Sequence, residues 1–138
     1  MSFLLDTNIV SEARRRTWNP GFARWWGSVS SSGLYLSVLT IGEIERGIHK
    51  LRQREGADRE RADALSTWLD GLGRQFADRI LSVTAEIATE WGRQSAPRRV
   101  PAIDGLLAAT ARVHGLTLVT RNVADVAGTG VRVLNPFS

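Results

Sequence analysis

The 138-residue chain has no cysteine, one lysine (Lys50), two histidines and four prolines. The missing cysteine excludes a disulfide framework, a thiolate zinc site and a cysteine nucleophile, and it suits a reducing, cytoplasmic setting. His49 and His114 are far apart and show no ligand spacing; His114, just before Gly115, reads as a group facing the last carbonyls of a helix. No apolar run approaches the roughly 20 residues of a membrane span, and the N-terminus lacks a charged region followed by a long apolar stretch. The expectation is a soluble protein without a targeting segment or membrane contact. A chain of this length fits one domain, residues 1–138, large enough to bury roughly two-thirds of its unfolded surface without staples.

Scarce lysine means that the positive charge is almost all guanidinium. The formal net charge is +4, from 18 cations against 14 acids, and every cation but Lys50 is an arginine. Arginine forks bind phosphate or carboxylate bidentately, so the balance points to nucleic acid or to an acidic protein partner.

Five short apolar runs read as strands: FLL (3–5), LYLSVL (34–39), RILSV (79–83), LTLVT (116–120) and VRVL (131–134). Between them lie helical stretches. A short one follows FLL through Ser11 to Arg15, and Asn19-Pro20 starts another with FARWWGSV as its body. Thr40 opens a long helix that a charged bend (54–60) folds into a second, giving a helical hairpin. Thr84 caps a helix on which Ile87, Ala88 and Trp91 share a face. Pro101 opens AIDGLLAATARVHG, which Gly115 ends. Strands read as continuous apolar runs alternating with helices predict a parallel sheet covered on both faces.

Asp6, Glu43, Asp104 and Asp125 all fall at helix starts, and each has a capping explanation. Asp6 fits an N-cap, Thr40 to Glu43 fits a capping box, Asp104 suits the dipole of the helix after Pro101, and Asn122 to Asp125 is a looser cap. Their joint placement is harder to assign to capping alone. Asp6, Glu43 and the Asn122/Asp125 pair follow the C-terminal ends of three strands, and in an open parallel sheet ligand sites form just outside those ends. Asp104 follows no strand, so this logic does not bring it there. Carboxylates gathered closely raise one another's pKa unless a cation intervenes. Oxygen donors without histidine or cysteine suit Mg²⁺ or Mn²⁺ rather than Zn²⁺, and such a site points to phosphoryl chemistry.

The segments LLDTNIVSE, TIGEIERGI, PAIDGLLAATARVHG and LTLVTRNVADV resemble, in order and spacing, the four signature segments of PIN-domain ribonucleases, most closely the VapC toxins of toxin–antitoxin pairs. The resemblance spans essentially the whole chain. It implies a PIN-like three-layer α/β/α fold with a central parallel sheet of four to five strands and a helical hairpin insertion. It also implies a Mg²⁺-dependent (or Mn²⁺-dependent) endoribonuclease, restrained by a VapB-like antitoxin and working as a homodimer. By matching positions, Asp6, Glu43 and Asp104 become metal-binding catalytic acids, and Asp125 a catalytic acid at the second edge of the site. Asn122 takes the place of an acid or asparagine that orients water or offers an amide oxygen, and Thr7 supports the first acid.

Arg98 and Arg99, before the Asp104 helix, and Arg121, beside Asn122, flank the proposed site and are candidates to bind RNA. The run Arg14 to Arg16 either steers RNA or forms a solvated face. Adjacent helical residues diverge by about 100°, so of Trp25 and Trp26 one is expected to be exposed or at an interface, the resemblance suggesting an antitoxin dock. Trp68 and Trp91 are expected in the core. Two rival readings remain: a PIN-like module that binds RNA or antitoxin without cutting, and an aspartyl-phosphate chemistry that the DTN motif fits poorly, because it lacks a second acid two residues on.

Overall fold

The structure is a computed structural model and describes residues 1–54 and 56–138, so Glu55, within the expected charged bend, lies outside the described residues. Among the described residues there are five strands, β1 (Phe3–Leu5), β2 (Leu34–Ser37), β3 (Ile80–Leu81), β4 (Thr117–Val119) and β5 (Val133–Leu134). Six α-helices accompany them: α1 (Thr7–Arg14), α2 (Pro20–Ser28), α3 (Val38–Arg52), α4 (Ala57–Gln75), α5 (Ala85–Ser95) and α6 (Ala102–His114). The strands pair only in parallel, in the order β3-β2-β1-β4-β5. The chain thus builds outward from β1 through β2 to β3, then returns to lay β4 and β5 on the other side of β1.

Successive side chains of a strand point to opposite faces, and this alternation separates two cores. Phe3 and Leu5 face one layer, with Ile9, Phe22, Ile44, Ile48, Leu69 and Leu72 from α1 to α4. Leu4 faces the other, against Leu107, Ala108 and Ala111 of α6 and Leu118 of β4. The result is the expected PIN-like three-layer α/β/α arrangement, with α3 and α4 packed as the expected helical hairpin. Small residues let α6 lie close to its neighbours. Gly105 sits under the Trp91 ring, where an added Cβ would come within 3.0 Å of the indole nitrogen, and Gln94 donates to the Gly105 carbonyl at 2.6 Å.

Several boundaries differ from the sequence reading. LYLSVL stops being a strand at Ser37, because the Ser37 hydroxyl accepts the Leu39 N–H (3.0 Å) and turns the chain into α3 early. Thr40 is therefore a buried residue inside α3, and the expected capping box does not form. The first helix spans Thr7 to Arg14, with Arg15 its C-cap rather than its last residue, and Asp6 caps its start through the Thr7 N–H as read. The strands of RILSV and LTLVT shrink to two or three inner residues, and that of VRVL to its last two. Asn19, Thr84 and Gly115 do terminate helices as read, Gly115 in the left-handed conformation with φ 67°.

Neither Trp25 nor Trp26 is exposed; both are half-buried against the same core. The divergence of adjacent helical residues is spanned by ring size. Phe22, with 0% of its surface exposed, lies between them, Trp25 reaches Phe3 edge-on at 5.4 Å between centroids, and Trp26 meets Phe22 at 5.4 Å and Trp18 at 6.1 Å. Trp68 packs on this core and Trp91 on α6, as expected. Among the described residues no helix is long and apolar enough to cross a membrane.

Phe22 joins Trp18, Trp25, Trp26 and Phe137, so truncating it leaves a cavity that bulky rings cannot easily collapse into. Phe22→Ala is expected to lower unfolding stability by about 3–5 kcal/mol, read from urea denaturation at constant m-value.

Candidate active site

Where the strand order reverses, β1 and β4 lie side by side, and their C-terminal ends open the crevice that parallel sheets use for ligands. Leu5 of β1 is in register with Val119 of β4, so the next residue of each strand, Asp6 and Thr120, meet at the sheet edge. The Asp6 amide continues the ladder to the Val119 carbonyl at 2.9 Å. Asp6 is 6% exposed, and its carboxylate is held from three sides. One oxygen accepts the Thr7 N–H (2.7 Å), and the other accepts the Thr120 hydroxyl (2.7 Å) and the Asn8 amide (3.3 Å). With three of about four acceptor sites used, the group is fixed in direction and keeps roughly one site for a further partner.

Glu43 joins Asp6 through Thr7. One turn into α3 and free of any capping duty, it accepts the Thr7 hydroxyl at 2.5 Å, while the same hydroxyl lies 3.4 Å from that of Thr40. Asp104, in the first turn of α6, faces the cleft from the other layer. Its carboxyl is pushed up to about 6, first by burial and then by the charges of Asp6, Asp125 and Glu43. Asp6, Glu43 and Asp104 thus line one cleft, and Asp125 lies near enough for its charge to act on Asp104. Asp125, in the short turn Val123–Val126 after β4, contributes charge but does not line the cleft itself. Among the described residues, no three acids or histidines converge tightly enough to cage a metal ion unaided.

The cleft holds about 640 Å³ and is walled by Asp6, Thr7, Asn8, Ser11, Glu12 and Arg15 along α1, facing Glu43, Asp104, Arg121 and Asn122. Asn122 has its N–H taken by the Thr120 hydroxyl (3.0 Å), and the Arg121 N–H is taken by the Asn8 side chain (3.3 Å). These bonds lock the loop after β4 to the first turn of α1. Arg121 itself lies over the Phe137 ring, 4.4 Å from its centroid. Arg98 and Arg99 stay outside the cleft. Arg98 rests on Gly128 near the Ala127 carbonyl, and Arg99 is exposed on the loop before α6.

Four lining or supporting residues carry no role in the sequence reading, Asn8, Ser11, Glu12 and Thr120, and Arg15 figures there only as one of the run Arg14 to Arg16. The signals were present. Asn8, Glu12 and Arg15 repeat at helical spacing behind Asp6, and Thr120 ends its strand as Asp6 ends its own.

By fold and site this is a parallel α/β protein with an acidic cleft at its sheet's carboxyl edge. The PIN domain family model matches residues 3–124, and the chain belongs to the PIN-domain family. Within that family its relatives include proteins named as a toxin and as a VapC ribonuclease. It is 30% identical over 141 aligned residues to Toxin FitB of Neisseria gonorrhoeae, covering 97% of each chain. It is 24% identical to VapC ribonuclease Y4jK of Sinorhizobium fredii over 97% of this chain and 96% of that one. The crystal structure of FitAcB from Neisseria gonorrhoeae matches with a TM-score of 0.84 at 29% identity, covering 97% of both chains.

The raised Asp104 carboxyl fixes a pH dependence. A carboxyl whose folded pKa lies above its unfolded value favours the folded state fully below about 4, and that contribution is lost as pH rises through about 6. In chelator-treated buffer, Asp104→Asn is therefore expected to be the more stable protein at pH 7.5. After allowance for solvent screening the gain is about 1 kcal/mol, or about 3 °C in Tm. The gain should vanish near pH 4, which melting curves across that range will show.

Proposed function

We propose that this chain is a divalent-metal-dependent endoribonuclease, the toxin of a toxin–antitoxin pair, hydrolysing RNA phosphodiester bonds in the cleft between β1, α3 and α6. The observation that carries this reading is that Asp6, Glu43 and Asp104 line one cleft, and burial there, followed by the charges of Asp6, Asp125 and Glu43, pushes the Asp104 carboxyl up to about 6. Charge so arranged works against the fold unless it serves a cation. The relatives' names, a VapC ribonuclease and a toxin, agree with it.

The donor set fits a hard cation. It is all oxygen, and Mg²⁺ keeps several waters and takes only one or two protein carboxylates directly, so a ready-made cage is not required. Asp6, Glu43 and Asp104 would hold Mg²⁺ or Mn²⁺, with Asp125 at the second edge. When bound, the ion supplies a water of lowered pKa and positive charge for the departing oxygen. The chain's own residues do the positioning. Thr120 and the Thr7 amide hold the Asp6 carboxylate, the Thr7 hydroxyl keeps its proton on Glu43, and Asn122 presents an amide at the cleft wall. Neither histidine lines the cleft, so this chain offers no imidazole general base there.

Restraint by an antitoxin and pairing with a second copy belong to the same proposal. An apolar pocket of about 210 Å³ between α1, α2 and α4, lined by Trp18, Trp26 and Trp68, suits an apolar side chain of a partner peptide. Near β3, Val38 and Val83 are exposed and an apolar groove runs past Val38, Ile41 and Leu69, a face that suits a second copy. Light scattering of antitoxin-free protein should return twice the chain mass.

Purified without antitoxin, the protein should cleave a mixed RNA pool in Mg²⁺ or Mn²⁺ and not in EDTA. Asp6→Asn should cut at least ~100-fold more slowly, since losing even an outer partner of a metal site costs up to that much. RNA binding without cleavage in saturating metal would instead leave a non-catalytic PIN-like binding module.

A further inference from the structure

Three consecutive arginines end α1 and its cap, and the fold separates them. Arg14 lies over the Trp68 ring, 5.7 Å from its centroid, on the aromatic side of the helix. Arg16 is exposed outside the cleft. Arg15 alone of the three lines the acidic cleft. It does so because Asn8, Ser11 and Glu12 of α1 and the C-cap Arg15, spaced by three and four residues, form one stripe beginning beside Asp6.

Glu12 holds Arg15 in that stripe. Its side chain is 5% exposed, and one carboxylate oxygen accepts the Asn19 N–H at 2.9 Å. The other lies 3.6 Å from an Arg15 terminal nitrogen, while the Arg15 side chain remains 67% exposed. A carboxylate this buried needs a counter-charge, so the pairing orients the arginine. The guanidinium carries five N–H donors, and a single carboxylate oxygen at this distance leaves most of them open to the cleft. Arg121, tied to Asn8 through its own amide, stands near the start of α1. Asn8 and Arg15 are seven residues apart, about 10 Å along a helix. Two cations therefore mark the length of a wall that otherwise presents Asp6 and Glu12 to an anionic strand.

We propose that Arg15, oriented by Glu12, is a phosphate-contacting residue that carries the RNA strand along α1 away from the acids. The proposal rests on the nuclease reading above. It separates three residues of equal charge and adjacent position, so it can be tested at constant net charge. The probe is a short mixed-sequence single-stranded RNA, bound in Ca²⁺ and shown intact on a gel, titrated by fluorescence anisotropy at several salt concentrations.

Arg15→Gln is expected to weaken binding roughly five- to tenfold near physiological salt. It should also flatten the slope of log affinity against log salt by about 0.7, the value of one phosphate contact on a single strand. Arg14→Gln and Arg16→Gln should each produce less than half of either effect, and Arg15→Lys should restore the slope. In Mg²⁺ turnover Arg15→Gln should raise KM by the same factor with kcat within about twofold, the pattern of lost uniform binding. Equal effects from the three glutamine variants, or an Arg15→Gln protein that melts earlier with an unchanged salt slope, would overturn the proposal and leave Arg15 a prop for the end of α1. Wild-type protein that binds and cuts RNA under those outcomes keeps the nuclease reading intact; wild type that binds no RNA overturns both.

Discussion

The parallel pairing of β1 with β4 is the constraint on which the cleft depends. These strands are neighbours only because the chain reverses its direction of growth after β3, and at that reversal the two strand ends have no connecting helix between them. Asp6 and Thr120 occupy the first positions beyond the paired residues. Their 2.7 Å hydrogen bond joins segments 114 residues apart in a buried setting. Such a bond is stronger than one in water, and its loss would leave a buried carboxylate short of a donor. The bond then extends outward: Thr120 accepts from Asn122, Asn8 accepts from Arg121, and the loop after β4 is fixed to the start of α1.

Around that anchor the fold accumulates negative charge where it is least comfortable. Glu43 comes from α3 in one layer, Asp104 from α6 in the other, and Asp125 from the turn after β4. The first two approaches are held by packing that has nothing to do with the acids: the Ile44 and Ile48 side of α3, and the close seating of α6 against Trp91 and Gln94 at Gly105. The scaffold can therefore afford a strained electrostatic site. The hydrophobic layers fix the backbone, and the carboxylates cannot retreat by more than a side-chain rotation.

How much of this was legible in the sequence depends on how local the cause is. The caps at Asn19, Thr84 and Gly115 and the apolar strand cores depend on a few neighbouring residues, and they were readable. The Thr40 capping box failed because Ser37, three residues earlier, offers its own hydroxyl to the same turn, and tertiary packing chose between two plausible caps. The exposure expected of Trp25 or Trp26 is absent for a related reason. The angle between adjacent helical positions was right, but ring size let both indoles reach one core through Phe22. Asp104 could be placed only by resemblance, since α6 is delivered to the cleft by its packing on α5 and not by any strand it follows.

The Asp6 to Arg15 stripe shows a third kind of legibility. Its spacing was visible, but a run of three arginines has no internal feature that says which member matters. The decision comes from what each helix face meets. One face of α1 packs toward Trp68, where Arg14 finds an aromatic ring; another borders the cleft, where buried Glu12 needs a cation. Glu12 has a second obligation, since it also holds the Asn19 amide at the entrance to α2, whose Phe22 sits at the centre of the aromatic core. A residue that terminates one helix, steadies the next and orients an arginine beside four acids couples the stability of the fold to the charge pattern of the cleft. That coupling explains why an acid is tolerated, nearly buried, on a wall that must receive an anion: its charge is spent inward on Arg15 and Asn19, and what the wall turns outward is the guanidinium.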